Sequence, residues 1–169
     1  PCDISRNFYN VPRSGRKWEK VGERDITMLL GQTRHAIDGK GRLMMPARFR
    51  APFAEGLVLT AIKDNCVLVY PVGAFEKLAE KVRSLPQFQR ESSMLQALMF
   101  SNAESVALDG QGRVLVPERL LAHAGITGPT LVVGAYDHLE LWTPEAWQAR
   151  ASEMAALAKQ EDVWTRLGI

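Results

Sequence analysis

Short apolar runs and helical stripes follow one another in the same order twice along this chain. Met28-Leu29-Leu30-Gly31 opens the first patterned region. Residues 34–37 read as a strand leading into a turn at 38–41, and 42–45 as a second short strand. Pro46 suits the first position of a helical turn, where its missing N–H costs little. A short helix is therefore predicted over 47–53, ended by Gly56, with 118–124 and Gly125 as its counterpart. Branched apolar runs at 57–62 and 130–135 predict buried strands. Tight turns at Asp64-Asn65 and Asp137-His138 lead to return strands at 66–70 and 139–142. Each half closes on a proline and a helix, Pro71 before Ala74-Phe75 and Pro144 before Ala146-Trp147.

The repetition extends to a phrase. Ala36-Ile37-Asp38-Gly39-Lys40-Gly41-Arg42 returns 71 residues later as Ala107-Leu108-Asp109-Gly110-Gln111-Gly112-Arg113. Repetition at this period marks two copies of one supersecondary unit. Neither half has a large core of its own, and pseudo-symmetric packing would give them a shared one. Strand edges left open would invite pairing between chains. The connecting segment carries two helical stripes, Phe75, Leu78, Ala79 and Val82, then Met94, Leu95, Leu98 and Met99, separated by Leu85-Pro86. The alanine-rich segment 144–159 is helical by propensity. The chain divides accordingly into a flexible extension 1–27, a first unit 28–84, a helical connector 85–102, a second unit 103–150, and a C-terminal helix and tail 151–169.

Charge changes this picture only locally. The 169 residues carry a net charge of +2, but residues 32–169 hold fifteen basic and fifteen acidic side chains. Arg34, Lys40, Arg42, Arg48 and Arg50 nevertheless crowd a stretch containing one acid, Asp38. A nucleic-acid partner would have to be met by that cluster rather than by global charge. The second copy has Arg113 and Arg119 against Asp109 and Glu118, and Gln111 in place of the lysine. The first turn is therefore the stronger candidate contact.

Enzymatic chemistry finds no anchor. His35, His123 and His138 are scattered without metal-ligand spacing. Gly39-Lys40-Gly41 lacks the glycine spacing and following hydroxyl of a phosphate loop. No nucleophile elbow is present, and no cofactor is implied. Cys2 and Cys66 make neither a disulfide framework nor a metal site, and Cys66 beside Val67-Leu68-Val69 reads as a buried thiol. No apolar run approaches membrane-spanning length and no secretory signal is recognisable, so a cytoplasmic, non-membrane location is expected.

The repeated turn offers two roles. Gly39, Gly41, Gly110 and Gly112 supply backbone freedom, and Asp38 and Asp109 can accept turn amides or pair with an arginine. On that basis the DxxGR turn clamps a strand pair. Arginine forks also suit phosphates and guanine edges, and Gln111 can hydrogen-bond a base edge.

These residues resemble the bacterial MraZ family of the division and cell wall gene cluster. The signals are MLLG at 28–31, HAIDGKGRLMMPARFR at 35–50, the valine-rich strand into Tyr70-Pro71, and ALDGQGRVLVPERLLAHAGI at 107–126. Val133-Gly134 through Leu141-Trp142 complete the match. The resemblance implies an α+β fold of two tandem pseudo-symmetric β-α-β units forming an AbrB-like, SpoVT-type swapped-hairpin (double-split) β-barrel with flanking helices. It also implies a nucleoid-associated, ring-shaped homo-oligomer that binds double-stranded DNA at short direct GTGGG-like repeats and represses its own operon. The family's signature falls on Asp38 and Arg42 and again on Asp109 and Arg113; its basic DNA-facing residues fall on Lys40, Arg42 and nearby Arg34. The expected DNA-binding set is Arg34, Lys40, Arg42, Arg48, Gln111 and Arg113. The rival is a structural oligomerisation module acting through protein partners.

The family pattern does not require residues 1–27. Residues 14–23 can be encoded by a string holding GTGGG three times, spaced by about 10 nucleotides, or one turn of B-DNA. The extension then reads as translated operator DNA upstream of a start at Met28.

Overall fold

The computed structural model describes residues 28–62, 65–86 and 88–168. The readings made for 1–27, including Cys2, and for Asp64 lie outside these described residues. In chain order the elements are β1 (Leu29–Ala36), β2 (Arg42–Met44), two 3-10 turns (Ala47–Phe49 and Ala51–Phe53), β3 (Leu57–Thr60) and β4 (Val67–Pro71). Helices α1 (Val72–Arg83) and α2 (Arg90–Ser101) follow, then β5 (Glu104–Val106), β6 (Arg113–Leu115) and α3 (Glu118–Ala124). Strands β7 (Pro129–Tyr136) and β8 (Leu139–Trp142) lead to α4 (Pro144–Ala158) and α5 (Glu161–Leu167).

One difference between the halves has a local cause. The helix predicted over 47–53 is two 3-10 turns, whereas its counterpart α3 is α-helical. Pro52 lacks an N–H and crowds the carbonyl four residues earlier, and His123 stands at the matching position of α3. Gly125 ends α3 in a left-handed conformation, as its position predicts. At α4, Pro144 occupies the first turn and the Thr143 hydroxyl accepts the Ala146 amide at 3.1 Å.

Six strands form one antiparallel sheet in the order β1-β7-β8-β4-β3-β5, and β2 pairs with β6 in a separate ribbon. The order is symmetric under exchange of the halves. β1 from the first half lies on β7 of the second, and β5 from the second lies on β3 of the first. Strands β4 and β8 join the halves at the centre.

The α+β class forms, but the closed swapped-hairpin barrel does not. The sheet is open, with β1 and β5 as its edges, and the two-stranded ribbon is not part of its ladder. Among the described residues the link between ribbon and β1 is one isolated bridge, Ile37 to Leu43, too little to close a continuous hydrogen-bonded wall.

Strand alternation divides the interior into two layers. Leu57, Leu59, Val67, Val69, Val132, Leu139 and Leu141 face the ribbon and pack with Leu43, Met45, Phe53, Val114, Val116 and Leu120. On the other face Cys66, Leu68, Tyr70, Leu131, Val133 and Trp142 pack beneath Phe75 and Leu78 of α1 and Ala146 and Trp147 of α4. The ribbon and α3 thus lie on one face of the sheet, and α1 and α4 on the other. No helix among the described residues is long and apolar enough to cross a membrane.

Candidate functional site

Each DxxGR turn is built by its own side chains. The Asp38 carbonyl accepts the Gly41 amide at 2.9 Å and the Asp38 amide donates to the Arg42 carbonyl at 2.9 Å. Gly41 has φ +75°, while neither Gly39 nor Lys40 lies in the left-handed region. This is a type I-like turn followed by one left-handed glycine, a standard three-residue hairpin loop. Oδ1 of Asp38 accepts the Lys40 and Arg42 amides, both at 2.9 Å, and Oδ2 accepts Arg42 Nε at 2.8 Å. The second turn repeats this arrangement. Asp109 Oδ1 accepts the amides of Gln111 and Arg113 at 2.9 Å, and its Oδ2 accepts Arg113 Nε at 2.7 Å.

These donors favour the ionised carboxylate. The Arg42 amide, followed by the Lys40 amide and the Arg42 guanidinium, lowers the Asp38 pKa to about 2. The Arg113 amide and then its side chain lower that of Asp109. Asp38 Oδ2 also pairs with Arg42 Nη2 at 2.8 Å, so each carboxylate fixes the Nε side of its arginine.

Gly41 and Gly112 are required by more than φ. A Cβ at residue 41 would lie 3.1 Å from the Val116 carbonyl oxygen, and one at residue 112 would lie 2.7 Å from Arg50 Cζ. Gly39 and Gly110 have open space around them and ordinary backbone angles. The glycine requirement therefore sits at one position of each turn.

The ribbon brings the two turns together. In its register Arg42 faces Leu115, Leu43 faces Val114 and Met44 faces Arg113. Leu43 and Val114 are fully buried against the sheet. Alternation therefore puts Arg42, Met44, Arg113 and Leu115 on the opposite, outward face, where Met44 is 40% and Leu115 57% exposed. Arg42 and Arg113 are diagonal neighbours across the ribbon, about 7–8 Å apart. Met45 donates its amide to the Gly112 carbonyl at 3.0 Å, and Val116 donates to that of Gly41 at 2.9 Å, so each turn is anchored to the other half's strand.

The remaining predicted residues divide. Lys40 and Gln111 are exposed at the turn tips, beside the outward ribbon face. Arg34 is not brought to them. It lies on β1 opposite Leu131, which belongs to the helix-covered side of the sheet, away from the ribbon. Arg48 donates to the Gln32 carbonyl at 3.1 Å and stacks on Phe49 at 4.5 Å, holding a 3-10 turn against β1. Burial, and then the Arg48 charge, lower the pKa of His35 on the same strand. Arg119, matching Arg48 in the repeat, reaches the Asn102 carbonyl at 3.3 Å and Glu104 at 2.8 Å.

Arg50 was absent from the expected contact set. Its Nε donates to the Met45 carbonyl at 2.9 Å and its Nη2 lies 3.3 Å from Met44 Sδ, beside Gly112. A cation from the basic first half is thereby delivered to the second turn. Its place in the basic cluster was visible in sequence; its reach across the ribbon was not. Among the described residues no group of three or more His, Cys, Asp or Glu side chains is placed to hold a metal ion.

A protein-family model described as "MraZ protein, putative antitoxin-like" matches the chain twice, at residues 28–98 and 99–167. The chain is 43% identical over 131 residues to the transcriptional regulator MraZ of Roseiflexus castenholzii, covering 78% of this chain and 92% of that protein. It is 43% identical over 129 residues to that of Thermomicrobium roseum, covering 76% and 91%. The similarity to that of Heliobacterium modesticaldum is 39% over 134 residues, covering 79% and 93%.

Proposed function

This chain belongs to the MraZ family of transcriptional regulators, and from that premise we propose that it is a sequence-specific DNA-binding regulator rather than an enzyme. The contact surface is the outward face of the β2–β6 ribbon, with Arg42 and Arg113 on it and Lys40 and Gln111 at its turn tips. The observation that carries this role is the pairing of two Asp-fixed arginines on one exposed two-stranded ribbon. A β-ribbon fits the DNA major groove, where a preorganised guanidinium recognises guanine N7 and O6 or a phosphate. Arg42, Arg113, Arg50 and Lys40 stand there against Asp38 and Asp109, so the surface is locally cationic.

Both turns serve the DNA in this arrangement, rather than the first alone. Homo-oligomers, in a ring, would place successive ribbons along direct GTGGG-like repeats upstream of the chain's own operon. Linked weak contacts then compound into firm binding and repression. Nucleoid association follows from such binding, and the unit boundaries at 28–84 and 103–150 describe the two halves that share one ribbon.

The test is binding of the full chain to its own upstream duplex and to a scrambled duplex at one salt concentration. The native duplex is expected to bind more tightly. Arg42→Ala should weaken that binding by about 5- to 150-fold, the factor for about 1–3 kcal/mol from one bidentate base contact, at unchanged oligomer mass. The Asp–Arg bonds also favour a second role, that of turn clamp in an oligomerisation module. If Arg42→Ala lowers the oligomer mass and wild-type protein does not distinguish the two duplexes, the clamp is the function.

A further inference from the structure

The outward ribbon face is not purely cationic. Met44 and Leu115 stand between the two arginines, each directly opposite one of them. Both are exposed, although their strand neighbours Leu43, Met45, Val114 and Val116 are buried. Exposure on a ribbon of three residue pairs leaves them no role in the core.

Their positions are nevertheless fixed. Arg50 Nη2 reaches Met44 Sδ at 3.3 Å, and the same guanidinium is held by the Met45 carbonyl. Leu115 lies over the first turn, where its Cδ1 would be 3.7 Å from a Cβ on Gly41. The two apolar groups are thus related by the same exchange of halves as the arginines, Leu115 lying against the first turn and Met44 against the Arg50 guanidinium that covers Gly112 of the second.

Resting on the DNA-binding role proposed above, we infer that Met44 and Leu115 are specificity-determining contacts that recognise thymine 5-methyl groups in the major groove. The occupant follows from the chemistry of the face. Flanking arginines suit a polyanion, and a two-stranded ribbon fits a groove about 12 Å wide. Within that groove the thymine methyl is the one apolar group on a base edge. A thioether and an isobutyl group offer a polar edge no useful hydrogen bond in exchange for its lost water. The arginines then read guanine or phosphate, and the apolar pair selects where thymine must stand beside it.

The test uses the full chain and its own upstream duplex, with thymines replaced one at a time by deoxyuridine, which removes only the methyl. Wild-type protein should bind about fourfold more weakly at one or two positions of each recognition unit, the factor expected for one buried methyl-sized group. Met44→Ala should abolish the effect at one such position and Leu115→Ala at another. Both variants should keep the wild-type dependence on salt, because no phosphate contact is removed. Their thermal midpoints provide the folding control. Equal wild-type affinity for every thymine and deoxyuridine duplex overturns the inference while leaving DNA binding intact. Undiminished methyl sensitivity in both folded variants overturns it as well. Failure to prefer the native over a scrambled duplex removes the DNA-binding role itself, and this inference with it.

Discussion

Arg50 closes over Gly112 so tightly that a Cβ on residue 112 would lie 2.7 Å from the guanidinium carbon. The arginine belongs to one copy of the repeat and the glycine to the other. Gly112 also has φ +77°, which an L side chain adopts at a cost. Gly112→Ala is expected to destabilise the fold by about 1–3 kcal/mol, through backbone strain and displacement of Arg50. Gly110→Ala, two residues away in open space, should stay within about 0.5 kcal/mol of wild type. Urea unfolding of the two variants checks both; equal losses would contradict the geometry.

The Asp38 carboxylate gives an acid-side prediction. Its folded pKa, about 2, lies below the ordinary 3.8 because the Arg42 and Lys40 amides and then the Arg42 side chain bind the anion. A depressed carboxylate pKa stabilises the turn fully above the ordinary value and loses that contribution as pH falls through the folded one. The amide resonances of Lys40 and Arg42 should therefore titrate with a midpoint near 2. A midpoint near 4 would mean that the carboxylate does not hold the turn in solution.

His138 gives the opposite sign. Burial pulls its pKa down, but hydrogen bonds and charge from Glu140 and Asp137 outweigh that and leave it raised above 6.5. Nδ1 lies 2.7 Å from Asp137 Oδ1, and the ring stacks on Tyr70 at 4.5 Å. A raised histidine pKa stabilises the fold below the unfolded value, and that contribution disappears as pH rises through the folded value. The thermal midpoint of wild type should exceed that of His138→Gln most at pH 6, and the gap should narrow steadily by pH 8.5. A gap that widens with pH would reverse the assignment.

Leu43 tests the ribbon's attachment to the sheet. It is fully buried between ribbon and sheet, directly opposite Val114. Leu43→Ala should cost about 2–5 kcal/mol by denaturant unfolding. Met44→Ala, one residue along and facing outward, should stay within about 0.5 kcal/mol. Comparable losses at the two positions would contradict the assigned faces.

The turns were readable in sequence because their hydrogen bonds connect residues within four positions, and Asp, Gly and Arg each suit that local role. The ribbon was not, because its partners Arg42 and Leu115 are far apart in the chain and no local pattern encodes their register. Proximity in sequence also misled. Arg34 and Arg42 stand eight residues apart, yet the turn sends β1 into the sheet and β2 onto the ribbon, and strand alternation points Arg34 to the far side. The start of β1 was missed because Leu30, Gly31 and Gln32 are exposed on an edge strand, which erases the apolar alternation. The barrel came from family resemblance rather than from any residue pattern, and the open order of the strands corrects it. Pro52 accounts for the broken first helix, a clash that the start signal at Pro46 and the stop signal at Gly56 do not register.

The exchange of first strands between halves has an evolutionary reading. Separated into two half-length chains, this architecture would be an intertwined dimer, with β1 and β5 each completing the other chain's sheet. Such a dimer dissolves on dilution. Joining the halves through the α1–α2 segment replaces that concentration dependence with an effective concentration on the order of millimolar. A fused pair also escapes the requirement that both copies be identical. At matching positions of the two halves, Lys40 and Gln111, Met44 and Leu115, and Pro52 and His123 differ, which a symmetric dimer of identical chains cannot hold at once. Covalent fusion thus lets one ribbon present two unequal ends, which would give the DNA contact proposed above a direction along the duplex.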